Sequence, residues 1–391
     1  MAPFRTLVAV TALSLSTAGA ALAQEEVVES QSYTFDVETV VQDLEHPWGL
    51  AFLPDGRYLV TERDPGTIRI GTAEGQLSGP IHRIDDLFQP KGPTPMSQAG
   101  LFDIRLHPDY EQNQLVYWVY SRTTERGSAV VVQRGRLDGE RLGGIEDVWV
   151  MDEDWQNASP VHYGGRMVWG ADGMLYLTIG DRYVMDRAQD LEDQAGAVLR
   201  MTEIGEVPPD NPRFDEDANE YLFTGGHRNI QAIAVRPGTD EIWVVEHGPL
   251  GGDEIHRLIG GNNYGWPWIT GGDDYSGAPI GVGTEREGMT SAVHIFEETV
   301  APSGLAFVQD DPALQEWTGD MLVGGLVAEG IVRVRLQNGN VADEEWMEVG
   351  RRIRDVEIHD GSIWLITEHE NGEVLRLTPR AGQARSARVT K

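Results

Sequence analysis

Two side chains in the middle of the sequence have the types needed for base catalysis. His162 stands in the string HYGGR, and Asp181 stands in the string GDR further along the chain. An imidazole with a pKa near the working pH can take a proton from a hydroxyl group, while a carboxylate can orient the ring and stabilise its protonated form. A histidine in a loop is more often structural or simply exposed, so these two residues alone leave both interpretations open.

Three arginines are candidates for binding an anion. Arg352 and Arg354 have a spacing that puts both side chains on one side of an extended strand, and Arg228 stands in the string GHRN. Guanidinium groups bind carboxylates through paired hydrogen bonds, so they suit a ligand that carries several carboxylates. A single arginine more commonly forms a salt bridge with a neighbouring segment, which is the alternative interpretation.

The segment EHGPLGGDEI could hold a metal ion in either of two ways. Calcium takes about six to eight oxygen ligands, and the glycines here leave main-chain carbonyls free to turn towards an ion. The rival is a transition-metal site formed by the side chains of Glu246, His247, Asp253, Glu254 and His256. We favour calcium, because these histidines and carboxylates lack the fixed spacing of a known metal motif.

One repeated pattern predicts the elements that carry these residues. Each copy has a short strand with alternating apolar residues, a turn rich in Pro, Asp or Gly, and a second strand rich in Val, Tyr, Trp and Leu. Period-two alternation with turns between the runs indicates antiparallel hairpins. The six copies begin at Trp48, Gly100, Gly165, Ile230, Ser303 and Ile353. Their spacing of about 50 to 75 residues leaves room for two further strands in each repeat.

These repeats predict an all-β fold, a six-bladed β-propeller of four-stranded antiparallel blades that forms a single domain over residues 27–379. Divergent repeats of a β-sandwich are the alternative. In a hairpin, the start of the first strand and the end of the second lie at the same end, opposite the turn. The candidate base, its carboxylate and the three arginines all fall at such ends. We therefore expect one face of the propeller to carry the chemistry.

The composition and both ends of the chain bear on its location and partners. The formal charge of −32 at pH 7 disfavours nucleic acid and anionic membranes as partners. Residues 1–23 have the pattern of a secretory signal peptide, with an apolar run shorter than the roughly 20 residues of a membrane-spanning helix. We expect cleavage after Ala23, a periplasmic or secreted protein without stable membrane insertion, and a basic, flexible tail over residues 380–391. A monomer and a homodimer remain equally open.

Several longer strings follow one another in an order typical of one protein family. They are HPWGLAFLPDG, SQAGLFDIRLHPDY, HYGGR, GHRNIQA, EHGPLGGDEI, NNYGWP and RIRDV, and they extend over nearly the whole chain after the signal peptide. By these strings the chain resembles the pyrroloquinoline quinone (PQQ)-dependent glucose/sorbosone dehydrogenases, in particular the soluble aldose sugar dehydrogenases. The resemblance implies a PQQ cofactor on one face of the propeller, bridged to the protein by a Ca2+ ion. It also implies oxidation of an aldose at C1 to the lactone, hydride transfer to the quinone, and an external electron acceptor.

The resemblance further implies roles for individual residues. His162 would be the base, Asp181 would orient it, and Arg228 would polarise the quinone or steady its reduced charge. Contacts to PQQ are implied for Gln98, Arg228, Asn229, Gly325, Leu326, Arg352 and Arg354. The bridging calcium would bind the main-chain carbonyls of Gly248 and Pro249. A further calcium site of the relatives is matched by Glu254, Tyr264 and Tyr275, the tyrosines through main-chain oxygen.

The match is incomplete where some relatives carry a lysine that contacts the cofactor. Val327 stands at that position, and the two lysines of the chain are Lys91 and Lys391. Loss of one charged contact of about 1.5 to 3 kcal/mol would weaken PQQ binding by about tenfold or more. The missing lysine keeps open a binding propeller without catalysis. A calcium-dependent propeller lactonase is the other alternative, because it would share the fold, the ion and a His or Asp base. The arginines favour the dehydrogenase, because hydrolysis of a neutral lactone has no evident need for them.

Overall fold

The computed structural model describes residues 26–90 and 97–380. The predicted signal peptide, Lys91 and residues 381–391 of the predicted tail lie outside this range. The first half of the described chain contains the strands β1 (Val27–Glu29), β2 (Thr34–Leu44), β3 (Pro47–Phe52), β4 (Tyr58–Glu62), β5 (Thr67–Gly71), β6 (His82–Arg83), β7 (Leu101–Leu106), β8 (Leu115–Thr124), β9 (Gly127–Asp138), β10 (Arg141–Val150), β11 (Met167–Trp169), β12 (Leu175–Ile179) and β13 (Ala197–Met201). The second half contains β14 (Leu222–Gly225), β15 (Ile230–Val235), β16 (Ile242–Glu246), β17 (Glu254–Arg257), β18 (His294–Ile295), β19 (Pro302–Phe307), β20 (Met321–Gly325), β21 (Gly330–Gln337), β22 (Asn340–Glu348), β23 (Ile353–His359), β24 (Ser362–Thr367) and β25 (Gly372–Pro379). One short α-helix (Tyr110–Asn113) and three 3-10 helices (Glu153–Trp155, Met185–Gln189 and Gln315–Trp317) lie in the connections.

The strands form six antiparallel sheets, which are the blades of a β-propeller. Blades 1 to 5 each contain four consecutive strands, from β3–β6 for blade 1 to β19–β22 for blade 5. The first strand of each blade contacts the first strand of the next, from β3 around to β23 and back to β3, so the ring is closed. The predicted all-β, six-bladed propeller is therefore confirmed. Each predicted hairpin forms the first two strands of one blade.

Blade 6 combines strands from both ends of the described chain. Strands β23, β24 and β25 supply three of its strands, and β2 pairs with β25 as the fourth. In this pairing Phe35 lies opposite Pro379, and Leu44 lies opposite Gly372. The short strand β1 adds a fifth strand at the outer edge. The ring is thus fastened by main-chain hydrogen bonds between the start and the end of the propeller.

Apolar side chains fill the space between neighbouring blades. Strands β4 and β12 are buried along their whole length, as expected for strands that are covered on both faces. Trp118, Trp243 and Trp317, which belong to three different blades, have no exposed surface. Such large buried aromatic side chains dominate the energetics of a core. None of the described helices is both long enough and apolar enough to cross a membrane.

One buried arginine near the ring axis contacts all of the other blades. Arg166 precedes β11 of blade 3 and is 1% exposed. Its guanidinium carbon lies 4.1 Å from the centre of the Trp48 ring in blade 1. It forms ion pairs with Asp103 in blade 2 and, at 2.9 Å, with Asp355 in blade 6. It also donates to the main-chain oxygens of Gln231 in blade 4, Ser303 in blade 5 and Arg354 in blade 6. A buried charge is tolerated when it is paired and hydrogen-bonded. The position of every blade is therefore linked to this single side chain.

Candidate functional site

A buried histidine and carboxylate lie together at one end of blade 3. His162 precedes β11 and Asp181 follows β12, so the hairpin brings the two side chains to the same end. His162 Nδ1 lies 2.6 Å from Asp181 Oδ1, and the side chains are 8% and 1% exposed. The indole N–H of Trp266 donates to the other oxygen of Asp181 at 2.9 Å. Both oxygens of Asp181 are thereby hydrogen-bonded. Because Nδ1 of His162 is engaged by Asp181, Nε2 is the ring nitrogen that can bind another group.

The surroundings of His162 favour the neutral ring. Burial lowers its pKa, the hydrogen bond and the charge of Asp181 raise it, and Arg228 and Arg182 lower it again, so the net pKa lies below 6.5. The main-chain φ of His162 is 56°, in the left-handed region that few residues other than glycine adopt. Its N–H donates to Oε1 of Gln98 at 2.7 Å, which ties this backbone conformation to blade 2.

Arg228 presents a guanidinium group without a carboxylate partner. Its Nη1 donates to the main-chain oxygen of His247 at 3.2 Å, and its Nη2 donates to the hydroxyl of Tyr275 at 3.3 Å. Within residues 26–90 and 97–380, no carboxylate oxygen lies within 4.0 Å of this guanidinium. Arg228 is only 5% exposed. An uncompensated, nearly buried cation in so acidic a chain indicates a site for an external anion.

The other two predicted arginines differ from each other in their contacts. Arg352 is half-buried, its Nη1 donates to the main-chain oxygen of Leu326 at 2.9 Å, and the described part of the chain supplies no carboxylate within ion-pair distance. Arg354 is buried and forms an ion pair with Glu368 at 2.7 Å. It also donates to Oε1 of Gln231 at 3.0 Å. The salt-bridge alternative therefore applies to Arg354, whereas Arg352 keeps donors for a ligand.

A cleft lies beside these groups. Arg354 is part of its lining, while Arg228 and Arg352 donate to the main-chain oxygens of two lining residues, His247 and Leu326. The lining includes four residues with predicted cofactor contacts, Gln98, Asn229, Leu326 and Arg354. Every blade, or the connection that enters it, contributes at least one side chain to this lining. The predicted Gly325 is the last residue of β20, and Val327 follows Leu326 with 55% of its surface exposed.

His247 lies where the charges of this cleft act together. Burial and the charges of Arg228, Arg354 and His162 lower the pKa of His247, the hydrogen bond to Pro302 raises it, and the net pKa is about 3. Its Nε2 lies 2.6 Å from the main-chain oxygen of Pro302, so this nitrogen carries the proton of a neutral ring. The charges of two arginines and of the candidate base therefore act on His247.

The loop after β16 contains the predicted calcium ligands Gly248 and Pro249. The N–H of Gly248 donates to the carboxylate of Asp253 at 3.0 Å, so the start of this loop is hydrogen-bonded to its last residue before β17. A Cβ atom at Gly248 would lie 2.1 Å from the carbonyl oxygen of Gly251 and 2.3 Å from that of Gly252. Several carbonyl oxygens thus crowd this loop, and main-chain oxygen is a donor that calcium accepts readily.

The second predicted calcium set is only partly assembled. Glu254 and Tyr264 both line a cavity of about 10 Å3, which is room for one small ion or water. Tyr275 is absent from this lining, is 63% exposed, and accepts a hydrogen bond from Arg228 through its hydroxyl. The side chain of Tyr264 is already used, because its hydroxyl donates to the main-chain oxygen of Arg257 at 2.7 Å. Any part of these tyrosines in binding calcium is thus limited to their main chain.

The rival transition-metal set is divided by the fold. His247 and Asp253 are engaged by main-chain groups. Glu246, Glu254 and His256 lie together on the adjacent strands β16 and β17. His227, which is not in the predicted set, lies in the loop before β15 and contacts Glu246.

Two sets of contacts at the site, those of Gln231 and that of Trp266 with Asp181, were not predicted from the sequence. Gln231 donates to the main-chain oxygen of Gly164 and accepts from Arg354. It follows Asn229 by two positions, so period-two alternation would have put both on one side of the strand. Trp266 donates to Asp181 from the connection between β17 and β18, and no local pattern in the sequence indicates this contact.

Comparison with known proteins gives consistent matches over most of the chain. A sequence profile of the family described as Glucose / Sorbosone dehydrogenase matches residues 44–376. The chain is 33% identical over 355 residues to aldose sugar dehydrogenase YliI of Escherichia coli (strain K12), covering 89% of this chain and 94% of that protein. The crystal structure of the soluble aldose sugar dehydrogenase from Escherichia coli in the apo-form has a TM-score of 0.82 at 32% identity, covering 88% of this chain and 100% of that chain. The PQQ-bound form of an aldose sugar dehydrogenase from Streptomyces coelicolor has a TM-score of 0.70 at 27% identity, covering 88% and 98%.

Proposed function

Because the chain belongs to the glucose/sorbosone dehydrogenase family, we propose that it oxidises aldose sugars at C1 to the lactone with PQQ and Ca2+ as cofactors. Membership of this family supports the oxidation of a sugar as the general reaction. One observation carries the finer proposal, namely that two guanidinium groups without a carboxylate partner among the described residues, Arg228 and Arg352, donate to residues that line one cleft. These lining residues are His247 and Leu326. The PQQ-bound relative from Streptomyces coelicolor supports the choice of cofactor.

The donors around the cleft suit a flat molecule with three carboxylates, such as PQQ. Arg228 and Arg352 would hold carboxylates, because they have donors and no carboxylate of the described chain within ion-pair distance. Asn229 and Gln98 would add neutral hydrogen bonds from the wall. The main-chain oxygens of Gly248 and Pro249 would hold the calcium ion. When bound, the quinone supplies a hydride acceptor and the calcium ion supplies a Lewis acid.

His162 is assigned the proton transfer. An aldose that loses a hydride from C1 must also lose the proton of its C1 hydroxyl, and Nε2 of His162 accepts this proton. Asp181 accepts a hydrogen bond from Nδ1 and stabilises the imidazolium that forms. Trp266 holds Asp181 in place through its indole N–H.

Arg228 stabilises negative charge in the same cleft. Its guanidinium lies close enough to His162 and His247 for its charge to lower the pKa of both rings. A fixed cation in a site that excludes water stabilises developing negative charge more strongly than the same cation does in solution. Arg228 therefore serves both the binding of an anionic cofactor and the reaction.

The proposal extends to the setting in which the enzyme works. After removal of residues 1–23 the enzyme would act in the periplasm or outside the cell, without stable membrane insertion and without nucleic acid. Its partners would be the aldose and an external electron acceptor, and it would act as a monomer or a homodimer.

Reconstitution of the purified apo-protein tests this function. PQQ and CaCl2 are added, and reduction of an electron-accepting dye is followed with a panel of aldoses and, in parallel, hydrolysis of lactones. We expect sugar-dependent dye reduction that is abolished by a calcium chelator. Lactone hydrolysis without PQQ binding would support the lactonase instead, and inactivity with every sugar together with no PQQ binding would remove the proposal.

A matched pair of variants separates the anion site from general charge effects. Arg228→Met should weaken PQQ binding by about tenfold or more, because a charged hydrogen bond is lost. Arg335→Met is the control, since Arg335 is 52% exposed and pairs with Asp343 far along blade 5. Equal PQQ affinity in the two variants would contradict the assignment of Arg228.

A further inference from the structure

A second cluster of ionisable side chains lies next to Arg228. Nδ1 of His227 lies 3.0 Å from Oε1 of Glu246, and Nε2 of His256 lies 2.9 Å from the same oxygen. The three ligand atoms all lie within 4.8 Å of one another. Both histidine side chains have no exposed surface, and that of Glu246 is 6% exposed. Two imidazoles and a carboxylate are thus gathered around one point in the interior of blade 4.

His256 is the member of this cluster whose ring nitrogens lack a hydrogen bond, since His227 Nδ1 and Glu246 Oε1 are hydrogen-bonded to each other. Nε2 of His256 is close to Glu246 but is not aligned with it as a hydrogen bond, and neither ring nitrogen of His256 has a hydrogen-bond partner among the described residues. A buried polar group without a partner is costly to the folded state. A bound cation would give the lone pair of Nε2 a partner.

The atoms that face away from this point are already held. Nε2 of His227 lies 3.0 Å from the hydroxyl of Thr224, and Oε2 of Glu246 accepts the main-chain N–H of Arg228 at 2.7 Å. Metal-binding histidines and carboxylates in proteins are usually oriented by such contacts on their far side. Glu254 supplies a fourth donor, because its Oε2 lies 3.3 Å from Nε2 of His256.

From this arrangement we propose that His227, Glu246 and His256 bind one divalent transition-metal ion of the zinc class, with Glu254 as the fourth ligand. Imidazole nitrogen suits zinc and its neighbours, whereas calcium prefers ligands that are all oxygen. In a tetrahedral site with bonds of roughly 2.0 Å, neighbouring ligand atoms are roughly 3.3 Å apart. The separations of 2.9, 3.0 and 3.3 Å are close to that value. This ion is distinct from the calcium assigned to the Gly248 loop, and it would take Glu254 from the second predicted calcium set.

The metal would also stiffen the proposed PQQ site. His227 precedes Arg228 in the chain, and Glu246 accepts the N–H of Arg228. An ion that fixes His227 and Glu246 therefore fixes the backbone from which the Arg228 guanidinium extends. The proposal does not depend on the chemistry of the cleft, since the cluster is buried and complete without a cofactor.

The test uses the mature full-length chain without PQQ. The protein is dialysed against a chelator and then titrated with ZnCl2 in the presence of excess CaCl2, and bound zinc is measured by elemental analysis. We expect one equivalent of zinc that calcium does not displace, and a rise of about a few degrees in the midpoint of thermal unfolding. His256→Asn should lose this equivalent. His294→Asn should keep it, because His294 lies in β18 of the same blade and pairs with Glu344.

A spectroscopic measurement keeps the proposal open to refutation if His256→Asn does not fold. Co2+ is added to the unaltered protein, and visible absorption bands of tetrahedral cobalt with nitrogen and oxygen ligands are expected. Their absence would overturn the proposal. So would equal zinc content in the unaltered protein and a folded His256→Asn variant.

Discussion

The two ring nitrogens of His162 have different surroundings, and this difference separates their roles. Nδ1 is engaged by Asp181, which leaves Nε2 for a substrate hydroxyl. His162→Ala should therefore lower kcat by about 10²- to 10⁴-fold, because the base is lost, and should retain PQQ. Dye-reduction kinetics measure the first effect, and equilibrium dialysis with PQQ measures the second.

A histidine at the other end of a blade provides the control for this substitution. His359 ends β23 beside the turn to β24, opposite the end that carries the site. His359→Ala should keep its kcat. Normal turnover by His162→Ala would show that another group takes the proton.

The pH dependence of the reaction follows from the environment of His162. Burial lowers its pKa below 6.5 although Asp181 raises it, and the neutral ring is the active form. The midpoint of the acidic decline in kcat/KM should therefore lie below pH 6.5. Asp181→Asn removes the group that raises this pKa, so the midpoint should move to still lower pH while kcat falls by roughly 10²-fold or more. A midpoint above pH 6.5, or an unchanged profile in the variant, would argue against this pair.

For single residues, the sequence predicts contacts within one hairpin better than contacts that are made across loops. The proximity of His162 and Asp181 follows from the strand pairing that the turn between β11 and β12 imposes. The indole N–H of Trp266 reaches the same carboxylate from a long connection, whose conformation depends on tertiary contacts. For the same reason the side chain of Tyr275 lies on Arg228 and away from Glu254.

Among the elements, the loop after β16 has a tight requirement for glycine at Gly248. A Cβ at Gly248 would overlap the carbonyl oxygens of Gly251 and Gly252. Gly248→Ala should therefore displace these oxygens and weaken calcium binding by about tenfold or more, since overpacking costs about 1 to 3 kcal/mol. Calorimetric titration of the apo-protein with CaCl2 measures the change.

A glycine in a strand of another blade provides the control for the loss of calcium affinity. A Cβ at Gly143 in β10 would meet no atom within 4 Å. Gly143→Ala should leave the calcium affinity unchanged. If both variants bind calcium like the unaltered protein, the ion is not held by this loop.

The inner hairpins of the blades were predictable, whereas the outer strands were less so. Strands β3 and β4 are short, mostly apolar runs on either side of a short turn, and such local patterns survive in the sequence. Strand β18 has two residues and is separated from β17 by a long irregular segment. Its pairing is decided by the neighbouring strand, because two residues carry no period of their own.

For the whole molecule, Arg166 is the side chain on which the six blades depend together. Arg166→Met removes a buried cation and leaves the buried carboxylates of Asp103 and Asp355 without this partner. The expected loss is about 3 to 5 kcal/mol of unfolding free energy, as for other broken buried ion pairs. Chemical denaturation measures it, and Arg335→Met, which breaks only an exposed pair, should cost less than about 1 kcal/mol. Equal losses in both variants would show that Arg166 has no special place in the ring.

The number of blades could be predicted from the sequence, but two features that hold the ring together could not. Repetition of one hairpin indicates the blade count, since each repeat needs neighbours on both sides to bury its faces. Arg166 lies in the string HYGGR, where the histidine and the glycines carry the local signal. Pairing of β2 with β25 joins residues that are far apart in the chain, and no local pattern encodes it.

The pairing of β2 with β25 suggests that the chain can be circularly permuted. The N–H of Arg380 donates to the carbonyl oxygen of Thr34, so the first and last strands of the ring lie side by side in blade 6. A short peptide between these points would turn the seam into an ordinary loop. New termini could then be cut at an exposed turn such as that at Gly139, between β9 and β10, and the resulting circular permutant would close its ring in blade 2.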